Sequence, residues 1–310
     1  MTAECQTPYS LTPDYTLMIE LANTQLLGHR GARYEALENS FSGFEHANRL
    51  KRHGLAGIEF DVQLTADGHL VIFHDDTLQR LCGLQSRIDQ MSLMEIQRHL
   101  QLGHQIITLD QLAQALAIAP PAKITHTLTS TSSLVEPQKK RLNNLLEVAD
   151  LSAIKTSSNP LVKTMQLLTQ FTHIELEIKT HSRTNHPKLV HALCRYLIDS
   201  PLARLPIVLT SFDVELLAQL QRNKLLAPMA RGLLVRDAKL LNRAPHTALQ
   251  LGCSSLGIHY LLLNKQVIDY CHRYDLRVSA WTVNDIAFAK QLVHWQVDAI
   301  ITDIPSQLLI

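Results

Sequence analysis

Two pairs of ionisable residues lie in strand-like stretches of this sequence, and one residue separates the members of each pair. Glu59 and Asp61 belong to the stretch GIEFDVQL, and Glu177 and Lys179 belong to HIELEIK. Side chains two positions apart on a β-strand point to the same face, so each pair presents its charges together. Three carboxylates gathered in one place form a set of hard oxygen ligands. Such a set favours calcium or magnesium over zinc.

Two histidines and an arginine follow strand-like stretches in the same way. His29 and Arg30 come directly after QLLG, and His74 ends the run HLVIFH. Imidazole groups transfer protons near neutral pH, so two of them can share the general-base and general-acid steps of one reaction. The charges of Arg30 and Lys179 can hold an anion, and the arginine fork matches phosphate oxygens. Together with a metal ion, these groups suit the hydrolysis of a phosphodiester.

Four further strand-like stretches end in polar or aromatic residues, which are Ser211, His259, Trp281 and Asp303. Trp281 has two interpretations: a core residue that closes the mouth of the fold, or an aromatic face for the carbon stem of a substrate. Ser211 and His259 are interpreted as lining residues. Any one of these strand-end residues alone is typical of a structural position, but their repetition at successive strand ends indicates a site.

The elements that would position these residues alternate between strands and helices. Segments with apolar residues at the helical three-and-four spacing lie between most of the predicted strands. The eight predicted strands are 25–29, 57–64, 173–179, 205–211, 231–236, 255–260, 277–283 and 298–303. This alternation predicts parallel βαβ units and a TIM (β/α)8 barrel, whose active sites lie at the carboxyl ends of the strands. A doubly wound open sheet is the alternative that periodicity leaves open.

Two segments fall outside this alternation. The run 69–74 follows the second strand across Asp67-Gly68, a strong signal for a β-hairpin. Residues from about 120 to 170 form an insertion before the third barrel strand, and they include Pro120-Pro121 and a tract rich in Ser and Thr. The insertion is either surface decoration or a functional lid. We predict one domain over residues 1–310, with the barrel starting at about residue 25.

Composition and charge narrow the class of protein. The chain has 310 residues, of which 46% are hydrophobic, and a formal net charge of +1, which gives no reason to expect nucleic acid or an acidic membrane as a partner. No apolar run approaches the roughly 18 residues of a membrane span, so we expect no stable membrane insertion.

The five cysteines are odd in number and form no C-x-x-C, as in reduced thiols. Acidic residues precede Arg30, the first basic residue, which argues against a secretory signal and predicts a cytoplasmic protein. The oligomeric state stays open.

The motifs of this chain resemble those of the glycerophosphodiester phosphodiesterase family. The resemblance extends from about residue 25 to the C-terminus, apart from the insertion. It is carried by GHRG (28–31), ENS (38–40), IEFDVQLTADGHLVIFHD (58–75), ELEIK (175–179), LTSF (209–212), SAWTVND (279–285) and AIITDIP (299–305). The family usually has Pro-Glu-Asn-Thr where this chain has Leu-Glu-Asn-Ser at 37–40, and its usual IPTL reads IITL at 106–109.

The resemblance implies a TIM barrel that hydrolyses glycerophosphodiesters, with a divalent metal as cofactor, to sn-glycerol 3-phosphate and an alcohol. Such a protein has a small-molecule substrate. The implied roles are His29 and His74 as the acid–base pair, Glu59, Asp61 and Glu177 as metal ligands, Arg30 and Lys179 as phosphate contacts, and Trp281 beside the glycerol. Two alternatives stay open. One is a phosphodiesterase acting on lysophospholipids or other phosphodiesters, and the other is a catalytically silent barrel that binds phosphorylated ligands.

Overall fold

A computed structural model of the protein describes residues 21–100, 106–118, 171–198 and 200–309. Its sheet contains a closed ring of eight parallel strands and an antiparallel extension of two strands. The strands are β1 (Gln25–Gly28), β2 (Gly57–Leu64), β3 (Leu70–Ile72), β4 (Ile107–Thr108), β5 (His173–Ile178), β6 (Ile207–Ser211), β7 (Ala230–Val235), β8 (Ser255–His259), β9 (Arg277–Trp281) and β10 (Ala299–Thr302). Strand β1 pairs with β10 on one side and with β2 on the other, which closes the ring. The predicted TIM barrel is confirmed, and the closure excludes the open sheet.

Helices connect most of the barrel strands and cover the outside of the ring. The described helices are α1 (Phe41–Leu50), α2 (Gln79–Cys82), α3 (Leu93–His99), α4 (Leu109–Ile118), α5 (His186–Leu197), α6 (Val214–Arg222), α7 (Ala238–Leu241), α8 (Ala244–Gln250), α9 (Lys265–His272), α10 (Ile286–His294) and α11 (Pro305–Leu308). Ser40 caps α1, since its hydroxyl accepts a hydrogen bond from the Gly43 backbone N–H at 3.1 Å. Among the described helices, none has both the length and the apolar character needed to cross a membrane.

The two faces of a barrel strand have different surroundings, and β2 illustrates the division. Ile58, Phe60 and Val62 are fully buried in the main hydrophobic core, which also contains apolar residues of the surrounding helices. The alternate residues Glu59 and Asp61 point to the other face, as the period of two requires. Strand β5 repeats the pattern, with three apolar residues in the core and Glu177 on the other side. This alternation directs the predicted site residues to the inside of the ring.

A small subdomain extends from the carboxyl end of β2. Strand β3 pairs antiparallel with β2, and β4 pairs antiparallel with β3. The turn at Asp67-Gly68 is closed by a hydrogen bond from the Thr65 N–H to the His69 carbonyl at 2.9 Å, so the predicted hairpin is confirmed. The subdomain has its own hydrophobic core, formed by Val71, Phe73, Leu78, Ile88, Met91, Ile96 and Ile106. The predicted insertion at about 120–170 lies outside the described residues.

Candidate active site

The predicted site residues meet at the carboxyl ends of the barrel strands. His29 and Arg30 follow β1, Lys179 follows β5, and Glu59, Asp61, Glu177 and Trp281 lie within their strands. His74 comes two residues after β3 and reaches the same region, because it lines a cavity together with Glu177 and Lys179. Trp281 is connected to this group through one intervening side chain. Its indole packs edge-on against Phe212, which lines the cavity, with the ring centroids 5.5 Å apart.

Three carboxylates form a compact cluster. Glu59, Asp61 and Glu177 each offer one oxygen atom, and these atoms lie within 4.8 Å of one another. The strand register produces this arrangement, because Asp61 and Glu177 are direct partners across the parallel pair β2–β5 and Glu59 lies two residues before Asp61. Glu59 and Asp61 are buried, and Glu177 is half-buried. The donor set consists of carboxylate oxygens, which fit a hard divalent cation such as calcium or magnesium.

The charges of the cluster also fit a cation. Burial raises the pKa of Glu59 well above its usual range, and the nearby carboxylates of Asp61 and Glu177 raise it further. Burial, opposed by Lys179 and reinforced by Asp61, raises the pKa of Glu177. Burial would also raise the pKa of Asp61, but Lys179 and other nearby cations lower it below its usual range. Negative charge at Glu59 and Glu177 is therefore unfavourable in the protein alone, and a bound cation would stabilise it.

Two basic residues contact the carboxylate cluster. The Lys179 ammonium lies 3.0 Å from Asp61 Oδ1 and 2.6 Å from Glu177 Oε1. Burial would lower the pKa of Lys179, but these two carboxylates raise it above its usual range, so the group stays charged. The Arg30 guanidinium is buried, with Nη1 2.9 Å from Glu38 Oε1 and Nε 3.5 Å from Asp61 Oδ2. Both cations are thus held by carboxylates of the site, and their contact with phosphate stays a prediction.

A tight turn after β1 positions His29 and Arg30. Arg30 lies in the left-handed region at φ 51°, and Gly31 follows at φ 93°. A Cβ atom added at Gly28 would lie 1.8 Å from the Gly31 carbonyl oxygen, so only glycine fits the start of this turn. The turn also directs the Arg30 backbone N–H to Glu59 Oε2, to which it donates a hydrogen bond at 3.0 Å. The GHRG motif therefore orients one carboxylate of the cluster through its backbone.

Each of the two histidines is paired with an aspartate. His29 Nδ1 lies 2.6 Å from Asp303 Oδ1, and His74 Nδ1 lies 2.6 Å from Asp75 Oδ1. The Asn284 amide donates a hydrogen bond to the other Asp303 oxygen at 2.7 Å. With Nδ1–H donating to the carboxylate, Nε2 is the nitrogen that remains for proton exchange. In His29 this nitrogen faces the cluster, 3.8 Å from Glu59 Oε2. Burial lowers the pKa of His29, while the bond to Asp303 acts in the opposite direction.

The ENS motif supports the cluster from a second loop. The Asn39 amide donates a hydrogen bond to Asp61 Oδ2 at 3.0 Å. Glu38 accepts hydrogen bonds from Arg30 and from Arg80 of the hairpin subdomain. Burial would raise the pKa of Glu38, but the hydrogen bonds from Arg80 and Arg30 lower it to about 2. Arg80 also contacts Asp75, the partner of His74, with Nε 2.6 Å from Oδ2.

Sequence reasoning did not assign a role to several of these supporting residues. Asp75 directly follows His74, and a carboxylate next to a histidine was a signal that could have identified it. Asp303 was noted only as a strand-end residue, although the first and last strands of a closed barrel are neighbours. Arg80 carried no such signal, because its place on α2 depends on how the subdomain folds back onto the barrel.

An aromatic wall and an open cavity complete the site. The cavity has a volume of about 400 Å³, which lies within the range of small-molecule sites. His74, Glu177 and Lys179 line one part of it, and Phe212 and Arg236 line another. The Trp281 ring, which contacts Phe212, also packs edge-on against His259, with the ring centroids 5.1 Å apart. The arrangement places His74, Lys179 and one carboxylate of the cluster, Glu177, on the wall of a space that a small phosphodiester could enter.

Comparisons with known proteins identify the family and agree with the fold. The model of the Glycerophosphoryl diester phosphodiesterase family matches residues 29–307. A glycerophosphodiester phosphodiesterase of Caldanaerobacter subterraneus subsp. tengcongensis is 25% identical over 291 residues, which cover 92% of this chain and 96% of that protein. An Oleispira antarctica phosphodiesterase, solved with the product sn-glycerol-3-phosphate, has a TM-score of 0.65 and 21% identity, with 92% of this chain and 94% of that chain covered. A Silicibacter pomeroyi protein has a TM-score of 0.66 and 19% identity, with 94% of each chain covered. These two structures share the fold of this chain.

Proposed function

Because the chain belongs to the glycerophosphoryl diester phosphodiesterase family, we propose that it hydrolyses glycerophosphodiesters to sn-glycerol 3-phosphate and an alcohol. The observation that carries the proposal is the cluster of Glu59, Asp61 and Glu177, whose oxygen atoms lie within 4.8 Å of one another beside two histidine–aspartate pairs. The substrate is a small molecule, in keeping with the volume of the cavity.

The three carboxylates would hold a divalent cation, and their oxygen donors suit calcium or magnesium. When bound, such a cation supplies Lewis-acid chemistry, polarising the phosphoryl oxygens. The Lys179 ammonium, held between Asp61 and Glu177, supplies a fixed positive charge for the phosphate. Arg30 is proposed as a second phosphate contact, and its buried pairs with Glu38 and Asp61 fix its position in the site.

His29 and His74 would move the protons of the reaction. One imidazole takes a proton from the nucleophile, either water or the neighbouring glycerol hydroxyl group, and the other gives a proton to the departing alcohol. If the glycerol hydroxyl group attacks, water must then open the cyclic phosphate to give glycerol 3-phosphate. Asp303 and Asp75 hold the two Nδ1 atoms, which orients both rings and leaves Nε2 for the transfer. Trp281, which packs edge-on against Phe212, is proposed to flank the glycerol moiety.

A cytoplasmic location, a single domain and the absence of nucleic-acid partners are carried over from the sequence as proposals. Two positions support the interpretation of the cysteines as reduced thiols. Cys253 and Cys271 are buried, and burial raises the pKa of each thiol to about 11.

The test is the release of glycerol 3-phosphate from glycerophosphocholine, measured with added calcium or magnesium and with a chelator. We expect release that the chelator abolishes. In H29A and H74A, kcat should fall at least about 100-fold, because general acid–base groups contribute on that scale. The control is H191A, which removes an exposed histidine of α5 on the outside of the barrel. Release that survives the chelator would contradict the role of the cation.

The same assay separates the two alternatives. Glycerophosphodiesters with several head groups and a lysophospholipid are offered in parallel. Turnover of the lysophospholipid alone would favour the alternative of a phosphodiesterase that acts on lysophospholipids. Binding of glycerol 3-phosphate without turnover of any substrate would favour the catalytically silent barrel.

A further inference from the structure

One charged residue of the cavity is not used by the chemistry proposed above. Arg236 directly follows β7, lines the cavity that also contains His74 and Glu177, and is exposed. Its guanidinium lies over the Phe212 ring, 4.9 Å from the ring centroid. A cation held against an aromatic face keeps its N–H groups directed outward and remains available to a ligand.

The other charges of this cavity already have partners. The Asp75 carboxylate contacts His74 and Arg80, and Asp76 is paired with Arg87 at 3.1 Å. The Lys179 ammonium is held by two carboxylates of the cluster.

Arg236, in contrast, makes no hydrogen bond and no ion pair with another residue in the part of the chain that the structure describes. The adjacent Asp237 carboxylate accepts a hydrogen bond from the Lys239 backbone N–H at 2.8 Å, so it caps α7. Among the described residues that line the cavity, the charge without a partner is therefore positive, and it is available to a ligand group beyond the phosphate.

We propose that Arg236 selects glycerophosphodiesters whose alcohol carries an anionic group, either a carboxylate or a phosphate monoester. The inference rests on the proposed hydrolysis and adds the class of head group to it. The guanidinium offers paired N–H donors that match both anions, and charge-assisted hydrogen bonds of this kind are stronger than neutral ones. A cationic alcohol such as choline or ethanolamine would meet like charge at the same place.

Glycerophosphoserine and glycerophosphoethanolamine form a matched pair of substrates, because they differ only in the serine carboxylate. We expect kcat/KM of the wild-type protein to be higher for glycerophosphoserine. In R236Q, kcat/KM for this substrate should fall about tenfold, the scale of a charge-assisted hydrogen bond. For glycerophosphoethanolamine, whose ammonium no longer meets like charge, kcat/KM should rise by less than about twofold. R236K should retain part of the preference, since it keeps the charge and loses the fork.

The control variant is R204Q. Arg204 is an exposed arginine that precedes β6, so it lies at the opposite end of the barrel from the site. The variant removes the same charge and should leave both substrates unchanged. A third substrate, a glycerophosphodiester of an alcohol that bears a phosphate monoester, distinguishes the two kinds of anion, because the larger loss in R236Q identifies the group that Arg236 binds.

Two outcomes would overturn the inference. If R236Q lowers kcat/KM equally for all substrates, Arg236 contacts the phosphodiester that they share and does not select the head group. If the wild-type protein prefers glycerophosphoethanolamine, the head-group side of the cavity does not favour anions. Failure of the wild-type protein to hydrolyse any of the substrates is a different result, and it refutes the proposed hydrolysis itself.

Discussion

Asp303 and Asp75 each accept a bond from the Nδ1 atom of a histidine, yet neither lies among the residues proposed to touch the substrate. A carboxylate at Nδ1 fixes the orientation of the ring and the nitrogen that carries the proton. The two pairs differ in their surroundings. The Asp303 side chain is buried and receives a second hydrogen bond from Asn284, whereas the Asp75 side chain is 22% exposed and contacts Arg80. We therefore interpret Asp303 as a positioning residue for His29, and its side chain is more buried than that of its counterpart.

We expect D303N to lower kcat by roughly 10- to 100-fold, with a smaller effect on KM, because the variant disturbs proton transfer and leaves the phosphate contacts in place. The pH profile should change as well. Asp303 raises the pKa of His29 against the effect of burial, so its loss lowers this pKa further. The limb of the pH–rate profile that reports His29 should then move to lower pH. Steady-state kinetics between pH 5 and pH 9 check both effects.

The control for D303N is D298N, which changes a histidine–aspartate pair at the other end of the barrel. Asp298 accepts a bond from His272 Nε2 at 2.8 Å and precedes β10. The two variants remove the same kind of interaction, and only one of them is near the site. An unshifted pH profile in D303N, or an equal loss of kcat in D298N, would show that Asp303 acts on the fold in general.

The residues of the site differ in how well the sequence predicted them. Glu59 and Asp61 share a strand, so their common direction follows from the period of two, and the geometry confirms it. The contact between His29 and Asp303 joins positions 274 residues apart, and local patterns carry no information about such a pair. The side-chain network around Glu38 could not be predicted from the sequence for the same reason, since it depends on arginines from two separate elements.

At the scale of elements, Glu38 connects the barrel to the hairpin subdomain. Its carboxylate lies 2.9 Å from Arg30 Nη1, next to β1, and 2.6 Å from Arg80 Nη2, on α2. These contacts join the loop after β1 to α2 of the subdomain, and they add charged interactions to the pairing of β3 with β2. Since His74 and Asp75 follow β3 in the subdomain, the same contacts also hold one of the two histidines in place.

We expect E38Q to lower the free energy of unfolding at neutral pH by on the order of 2–3 kcal/mol. The pKa of Glu38 is lowered from 4.5 to about 2 in the folded state. Its contribution is therefore complete above about pH 4.5 and is lost as the pH falls through 2. The difference between wild type and E38Q should shrink over this window in urea unfolding at pH 7, pH 4 and pH 3. The exposed-glutamate variant E215Q on α6 serves as the control and should follow the wild type. A difference that stays constant with pH would contradict the ionic role of Glu38.

The elements themselves were largely predictable, for reasons that differ between them. Asp67-Gly68 predicted the hairpin because few residue pairs fit so tight a turn, and β2 was found with the same bounds in the structure. Strand β4 has two residues and was not predicted. It forms because β3 offers an edge with which it pairs, and a stretch of two residues has no periodicity of its own.

At the scale of the whole molecule, closure of the ring turns separate strand ends into one site. The count of eight strands predicted this closure, and the pairing of β1 with β10 confirms it. The barrel interior also has a cost, because the register of β2 and β5 brings Glu59, Asp61 and Glu177 together there. Buried like charges destabilise a fold unless a counter-charge is present. Lys179 and Arg30 offset part of this negative charge, and we expect a bound cation to offset more of it and so to stabilise the fold.

The substitution E59Q is expected to change thermal stability in different directions relative to the wild type with and without a cation. Burial and the two neighbouring carboxylates raise the pKa of Glu59, so its charged form destabilises the folded protein above its unfolded pKa. In a chelator at pH 8, E59Q should therefore melt at the same temperature as the wild type or higher. Saturating calcium or magnesium should raise the melting temperature of the wild type by roughly 5 °C, as expected at about 100 times the dissociation constant. E59Q should gain much less, while E215Q should behave as the wild type. Thermal melts of the three proteins test the cation site without any substrate, and an equal gain in E59Q would place the cation elsewhere.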